Sequence, residues 1–224
     1  MTRAGPLRWV TGAGWLILVG GEGEVQGIAA EVDDRLLARA DFSSPIAFLP
    51  TASGSPTAGE SLLECYAGLG GPRGYVVPVL NAVDAQREEN YRLLAEAGLI
   101  ILGDGDGLAL ARALRDSLAL QGIADAFARG ALVVGLGAGA APLGEWIAAA
   151  EAPAGGARGW GWVGNAVIVP HFAGSAREPD LQSVLRMRPG LVGIGIPEGT
   201  ALALGPEGQV ETWGEGEVTV VVVR

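Results

Sequence analysis

The chain contains one histidine, His171, and its surroundings suggest base chemistry. It follows the apolar run Val167-Ile168-Val169-Pro170, where a buried strand would end, and precedes Phe172. Glu198 closes a second apolar run, Val192–Ile196, just before Gly199-Thr200. A carboxylate beside an imidazole fixes its tautomer and orientation, as a general base requires. A third segment, Gly135-Leu136-Gly137-Ala138-Gly139-Ala140, follows Ala131–Val134 and reads as strand, sharp turn, helix. That is the architecture of a nucleophile elbow, which carries its nucleophile at the tightest point. Here that point is Gly137, which has no side chain to attack with. The base and its orienting acid are present, and the nucleophile is missing.

Other residues offer alternatives. Four small-residue loops, Gly20–Gly23, Thr51–Ser55, Gly103–Gly107 and Gly135–Gly139, stand where strands should end. Their backbone N–H groups could build an anion or oxyanion pocket, or the small residues could simply permit tight turns. Neither Gly20-Gly21-Glu22-Gly23 nor Gly103-Asp104-Gly105-Asp106-Gly107 has G-x-G-x-x-G spacing, and the absence of lysine removes a Walker motif. Asp104 and Asp106, with Glu22 or Glu24, could ligate a hard cation. The preferred reading makes them turn residues, with Asp106 capping the following helix. A single cysteine and a single histidine leave no zinc cluster. No metal or cofactor is expected. Cys65, in the middle of a helical segment, reads as packing. Ser53, Ser55 or Thr51 could stand in for the missing nucleophile, although a loop hydroxyl lacks the elbow's alignment with a helix N-terminus.

These residues need a scaffold that brings strand ends together. Continuous apolar runs at Trp15–Val19, Ile46–Leu49, Tyr75–Leu80, Leu99–Leu102 and Ala131–Val134 read as strands buried on both faces. Between them lie helical patterns at Ile28–Ala40, Pro56–Leu69, Asp84–Ala97 and Leu108–Ala128, the last in two pieces around Gly122. A further helix is expected over Ala140–Ala150, a strand at Ala166–Val169 and a short helix at Leu181–Met187. Val192–Ile196, Ala201–Leu204, Val210–Trp213 and Val218–Val223 follow at hairpin-like spacing. This alternation predicts an α/β fold of three layers: a mostly parallel sheet, helices on both faces, and antiparallel strands added near the C-terminus. Residues 1–224 read as one domain, with 1–13 an arm or edge strand. In such a sheet ligands bind beyond the carboxyl ends of the strands, where the elbow, His171 and Glu198 all fall.

Composition narrows the partners. The net charge of −10, with all 15 basic residues arginine, opposes nucleic-acid binding, which needs clustered basic charge. The apolar runs are too short and glycine-broken to span a bilayer or serve as a secretion signal, so a cytoplasmic protein is expected. Trp160 and Trp162 could line a groove or a subunit contact, or simply be buried. Val218–Val223 is strongly β-prone, so it is expected to be covered or joined across a homodimer.

Several motifs together resemble the cyanophycinase and aspartyl dipeptidase (dipeptidase E) family of serine peptidases, which have a class I glutamine amidotransferase-like α/β fold. They are Leu49-Pro50-Thr51-Ala52-Ser53, Ile100-Ile101-Leu102-Gly103-Asp104-Gly105-Asp106, the elbow Gly135–Ala140, Pro170-His171-Phe172, and Gly195-Ile196-Pro197-Glu198-Gly199-Thr200-Ala201. The resemblance implies that His171 matches the general base, Glu198 its orienting acid, and Ala138 the residue whose N–H helps form the oxyanion hole. It places Gly137 where the family has serine and Asp104 where it has the second glycine of the oxyanion loop beside Gly103. Arg177 is the one basic substrate-side residue that it retains. Removing a triad serine abolishes about a million-fold of rate in a worked protease, and a carboxylate near an oxyanion opposes its stabilisation. The expectation is an impaired or inactive relative that keeps a pocket for a small peptide or amino-acid-like ligand. The alternatives are hydrolysis through Ser53, Ser55 or His171-activated water, or different chemistry with His171 as acid–base and Asp104 or Asp106 holding a metal or a substrate amine.

Overall fold

The computed structural model describes residues 1–23, 27–149, 155–174 and 178–222. Its elements in chain order begin with β1 (Thr2–Ala4), β2 (Leu7–Trp9), β3 (Leu16–Val19), α1 (Ala30–Arg39), β4 (Ile46–Leu49), α2 (Glu60–Gly68) and β5 (Gly74–Val76). Next come α3 (Glu88–Ala95), β6 (Leu99–Leu102), α4 (Gly107–Leu114), α5 (Leu118–Arg129) and β7 (Leu132–Leu136). A 3₁₀ turn over Gly137–Leu143 leads into β8 (Trp146–Ala148), β9 (Gly156–Arg158), β10 (Val163–Gly164) and β11 (Ala166–Val169). The chain closes with α6 (Glu178–Met187), β12 (Val192–Gly195), β13 (Ala201–Leu204), β14 (Val210–Trp213) and β15 (Thr219–Val222).

Among the described residues the main sheet has seven strands in the order β14-β13-β3-β7-β6-β4-β5. Pairing is parallel from β3 to β5, and β13 and β14 add antiparallel at one edge. The central strands alternate between two cores, as the period of two requires. Ile17, Val19, Phe48, Ile101 and Val134 face α1 and α2. Leu16, Leu18, Leu49, Ile100 and Val133 face α3, α4 and α5. Helices therefore cover both faces, which is why these strands read as unbroken apolar runs.

A second sheet, in the order β15-β12-β11-β8-β9, packs its Ala166, Ile168 and Ile194 into the same core as Leu16 and Val133. The strand at Val192–Gly195 runs parallel to β11, so the late strands divide between two sheets. The expected helix over Ala140–Ala150 is instead the 3₁₀ turn, which contains Pro142, followed by β8. A mid-helix proline removes a backbone donor and clashes with the preceding turn, so an α-helix cannot continue there. The first residues form a small antiparallel sheet, β1-β2-β10. Trp162 is buried against Phe127, with ring centroids 5.5 Å apart. Val220 and Val222 on β15 are exposed.

The break between α4 and α5 falls at Arg115–Ser117 rather than at Gly122. Ser117 caps α5 by accepting the Leu120 N–H at 3.1 Å. Gly122 is buried within α5, where a Cβ would stand 2.7 Å from the Tyr91 carbonyl oxygen. That glycine lets α3 and α5 approach closely. One buried carboxylate stands on α1. Asp33 on α1 accepts the Ile28 N–H and, at 2.7 Å, the Tyr66 hydroxyl. Burial pushes the Asp33 carboxyl up from 3.8, and the hydrogen bonds from Tyr66 and Ile28 pull it back only in part.

Candidate functional site

Five strand ends converge between the two sheets. Parallel pairing puts the carboxyl ends of β3, β7 and β6 side by side, with Val19 opposite Leu136 and Leu102 opposite Gly135. The strand β11 ends beside β12 in the second sheet, Val169 opposite Gly195. Three backbone bonds stitch the two rims: His171 N–H to Gly20 C=O at 2.7 Å, Gly199 N–H to Gly21 C=O at 3.0 Å, and Gly20 N–H to Thr200 C=O at 3.0 Å. His171 takes a left-handed conformation, φ +50°, which turns its ring out of the strand direction. Behind it, Phe172 is buried, and its N–H donates to the Ile196 carbonyl at 3.0 Å.

The imidazole lies between two carboxylates. Nδ1 is 3.0 Å from Glu198 Oε1, and Nε2 is 3.0 Å from Asp104 Oδ2. The ring can donate to both only as the imidazolium; the neutral ring satisfies one of the two. Asp104 Oδ1 accepts the Ala138 N–H at 2.7 Å and the Gly105 N–H at 2.7 Å. One oxygen of the Asp104 carboxylate thus sits on the amide after the elbow, and the other faces the histidine nitrogen that would receive a nucleophile's proton.

Gly137 explains how the carboxylate fits. The elbow glycines Gly135 and Gly139 are hemmed in by backbone, of Ala140 and of Leu102 and Gly103 respectively. At Gly137 the obstruction is a side chain: a Cβ there would fall within the Asp104 carboxylate group. Its φ of +53° is also one that only glycine adopts without strain. A side chain at 137 and the present position of the Asp104 carboxylate exclude one another.

The remaining sequence candidates separate. Gly103 is buried, and its N–H donates to the Leu49 carbonyl at 3.0 Å, which removes it as an oxyanion donor. Asp106 caps α4, its Oδ1 accepting the Leu108 and Ala109 N–H groups at 2.8 and 3.0 Å. Ser53 donates its hydroxyl to the Pro50 carbonyl at 2.8 Å, and the Ser55 hydroxyl pairs with Thr57 at 3.2 Å. Neither hydroxyl is paired with His171, whose two ring nitrogens face carboxylates. Arg177 and Glu24 lie outside the described residues. Cys65 sits on α2 and is half-buried. No group of three or more His, Cys, Asp or Glu among the described residues is arranged to hold a metal ion.

Sequence reasoning expected a pocket at these strand ends but not the cleft beside the elbow that β8 helps to wall. It has a volume of about 800 Å³ and runs from Gly105, Asp106, Ala138 and His171 to β8 and α6. The expected helix over Ala140–Ala150 hid it, since the real chain folds back there as β8 and forms one wall.

An elbow after a central parallel strand, faced by a histidine and its carboxylate partner, defines a hydrolase-like α/β protein of the serine-peptidase type. The comparisons narrow the class: residues 16–210 match peptidase family S51, and the chain belongs to that family. It is 27% identical over 186 residues to a cyanophycinase of Geminocystis herdmanii, a match covering 79% of this chain and 68% of that one. With a cyanophycinase of Synechococcus elongatus it shares 29% identity over 189 residues, 80% of this chain but only 59% of the relative. Among solved structures, a peptidase from an acI-B1 actinobacterium superposes with a TM-score of 0.79 at 26% identity, covering 95% of this chain and 93% of that one. A putative peptidase E protein from Listeria monocytogenes, at 17% identity and TM-score 0.60, covers 94% of this chain and 99% of its own and shares the fold. No helix among the described residues is long and apolar enough to cross a membrane.

Proposed function

We propose that this chain is a catalytically impaired S51 peptidase homologue that retains a cleft for a small or peptidic ligand. The Asp104 carboxylate carries the reading. With Oδ1 on the Ala138 amide and Oδ2 against His171 Nε2, it resembles a product carboxylate held in the site permanently. Three requirements of acyl transfer go unmet, the last two through Asp104. Gly137 has no oxygen to attack with, His171 Nε2 faces an acceptor rather than a hydroxyl donor, and the Ala138 N–H is engaged by an anion before any oxyanion forms. The His171–Glu198 pair is then a remnant of a base and its orienting acid.

The test is purified protein incubated with a panel of unblocked dipeptides, read by mass spectrometry, alongside labelling with a fluorophosphonate. No turnover and no adduct are expected. Turnover that disappears in His171→Ala would overturn the reading, as would a fluorophosphonate adduct on Ser53 or Ser55.

A further inference from the structure

The cleft changes character along its length. Ile147 and Ala148 of β8, Ile168 of β11, and Leu181, Val184 and Met187 of α6 make its far walls apolar. The end at the elbow is polar, lined by Asp106 and His171. No arginine stands among the described lining residues, and the chain has no lysine. Asp106 uses Oδ1 as a helix cap, and its Oδ2 makes no hydrogen bond among the described residues. Asp106 lines this end, and Asp104 and Glu198 flank His171 beside it, so among the described residues the carboxylates here outnumber the imidazole.

We infer that the cleft takes a ligand with a primary ammonium group at one end and an apolar body at the other: an unblocked peptide N-terminus followed by large apolar side chains. This rests on the proposed function, because it treats the site as binding without cleavage. The ammonium answers Asp106 Oδ2, which is solvent-exposed and makes no hydrogen bond among the described residues, and the side chains desolvate against β8 and α6. A volume of about 800 Å³ holds a dipeptide-sized body. An acidic peptide would instead bring a carboxylate toward Asp104 and Asp106.

The experiment is calorimetric titration of the full chain with phenylalanyl-leucine amide, its N-acetyl derivative, and aspartyl-leucine amide, with the peptide recovered for mass analysis. Phenylalanyl-leucine amide should bind most tightly. Acetylation should weaken it by about tenfold or more, the loss of a hydrogen bond to a charged group. Asp106→Ser keeps a capping oxygen while removing the charge, and should weaken the free peptide about threefold while leaving the acetylated one unchanged. Ala148→Phe should fill the apolar end and abolish binding. Equal binding of free and acetylated peptide, tighter binding of the aspartyl peptide, or no binding by any of them overturns the inference. Recovery of cleaved peptide overturns the proposed function instead, whatever the order of affinities.

Discussion

Replacing Gly137 by serine restores the missing hydroxyl in name, but the structure predicts that it cannot simply be added. A non-glycine residue at φ +53° costs about 1–2 kcal/mol. The new Cβ also displaces the Asp104 carboxylate from the Ala138 and Gly105 amides and from His171. Hydrogen bonds to a charged group contribute about 1.5–3 kcal/mol each when buried. Asp104 remains 37% exposed, so about 1–2 kcal/mol for the whole set is the better figure. Gly137→Ser should therefore destabilise by about 2–4 kcal/mol and Asp104→Ala by about 1–2 kcal/mol. In the double variant the carboxylate is lost only once, so the total should stay at about 2–4 kcal/mol, some 1–2 kcal/mol less than the sum of the singles. Urea unfolding followed by tryptophan fluorescence and circular dichroism measures all four corners of the cycle. Additivity within about 0.5 kcal/mol would refute the argument that the two positions share one space. The fluorophosphonate readout runs in parallel: the hydroxyl at position 137 should be labelled faster when Asp104 is alanine than when it is aspartate.

Three further outcomes follow from the same structure. Burial holds the Asp33 proton more tightly in the folded than in the unfolded chain, so Asp33's contribution to stability falls as pH rises from 3.8 through its raised native value; relative to Asp33→Asn, the wild type should lose stability across that window in urea titrations. Arg39 lies over Trp15 at 4.9 Å and Trp213 at 5.0 Å and bonds Glu211 at 2.9 Å, so Arg39→Ala should lower stability by about 1–2 kcal/mol, with lysine recovering only part of it in thermal melts. Asp106→Ala should cost about 1 kcal/mol of stability in urea unfolding, whereas Asp106→Ser should be close to neutral, because serine still accepts the Leu108 and Ala109 amides.

The central strands were the most legible part of the sequence, although the run Tyr75–Leu80 is a strand only over Gly74–Val76 and the run Ala131–Val134 extends to Leu136. The runs that became β3, β4, β6 and β7 are apolar because helices cover both faces, and β7 leads into Gly137 while the apolar runs at β11 and β12 lead into His171 and Glu198. The cap at Asp106 could be read because aspartate before Gly-Leu-Ala is a strong helix start. The Ala140–Ala150 segment misled, since alanine-rich composition suggests helix while Pro142 and the pairing of Trp146 opposite Val167 decide for a 3₁₀ turn and a strand. Gly122 misled in the opposite way, for a glycine read as a breaker proved to be a point of close helix contact. Asp104 was visible as an unfavourable charge, but its posture was not. Nothing in a single sequence says that its two oxygens reach Ala138 on one side and His171 on the other, because that depends on strands β6, β7 and β11 meeting across two sheets.

The most direct test of the Asp104 plug is the amide resonance of Ala138 in a ¹⁵N-resolved spectrum of the wild type and of Asp104→Ala. A charged acceptor at 2.7 Å holds that proton downfield, so the substitution should move the Ala138 signal clearly upfield, with Gly105 moving alongside it. An Ala138 amide indifferent to Asp104 would mean that the carboxylate does not occupy the elbow, and the account of a plugged peptidase site would not stand.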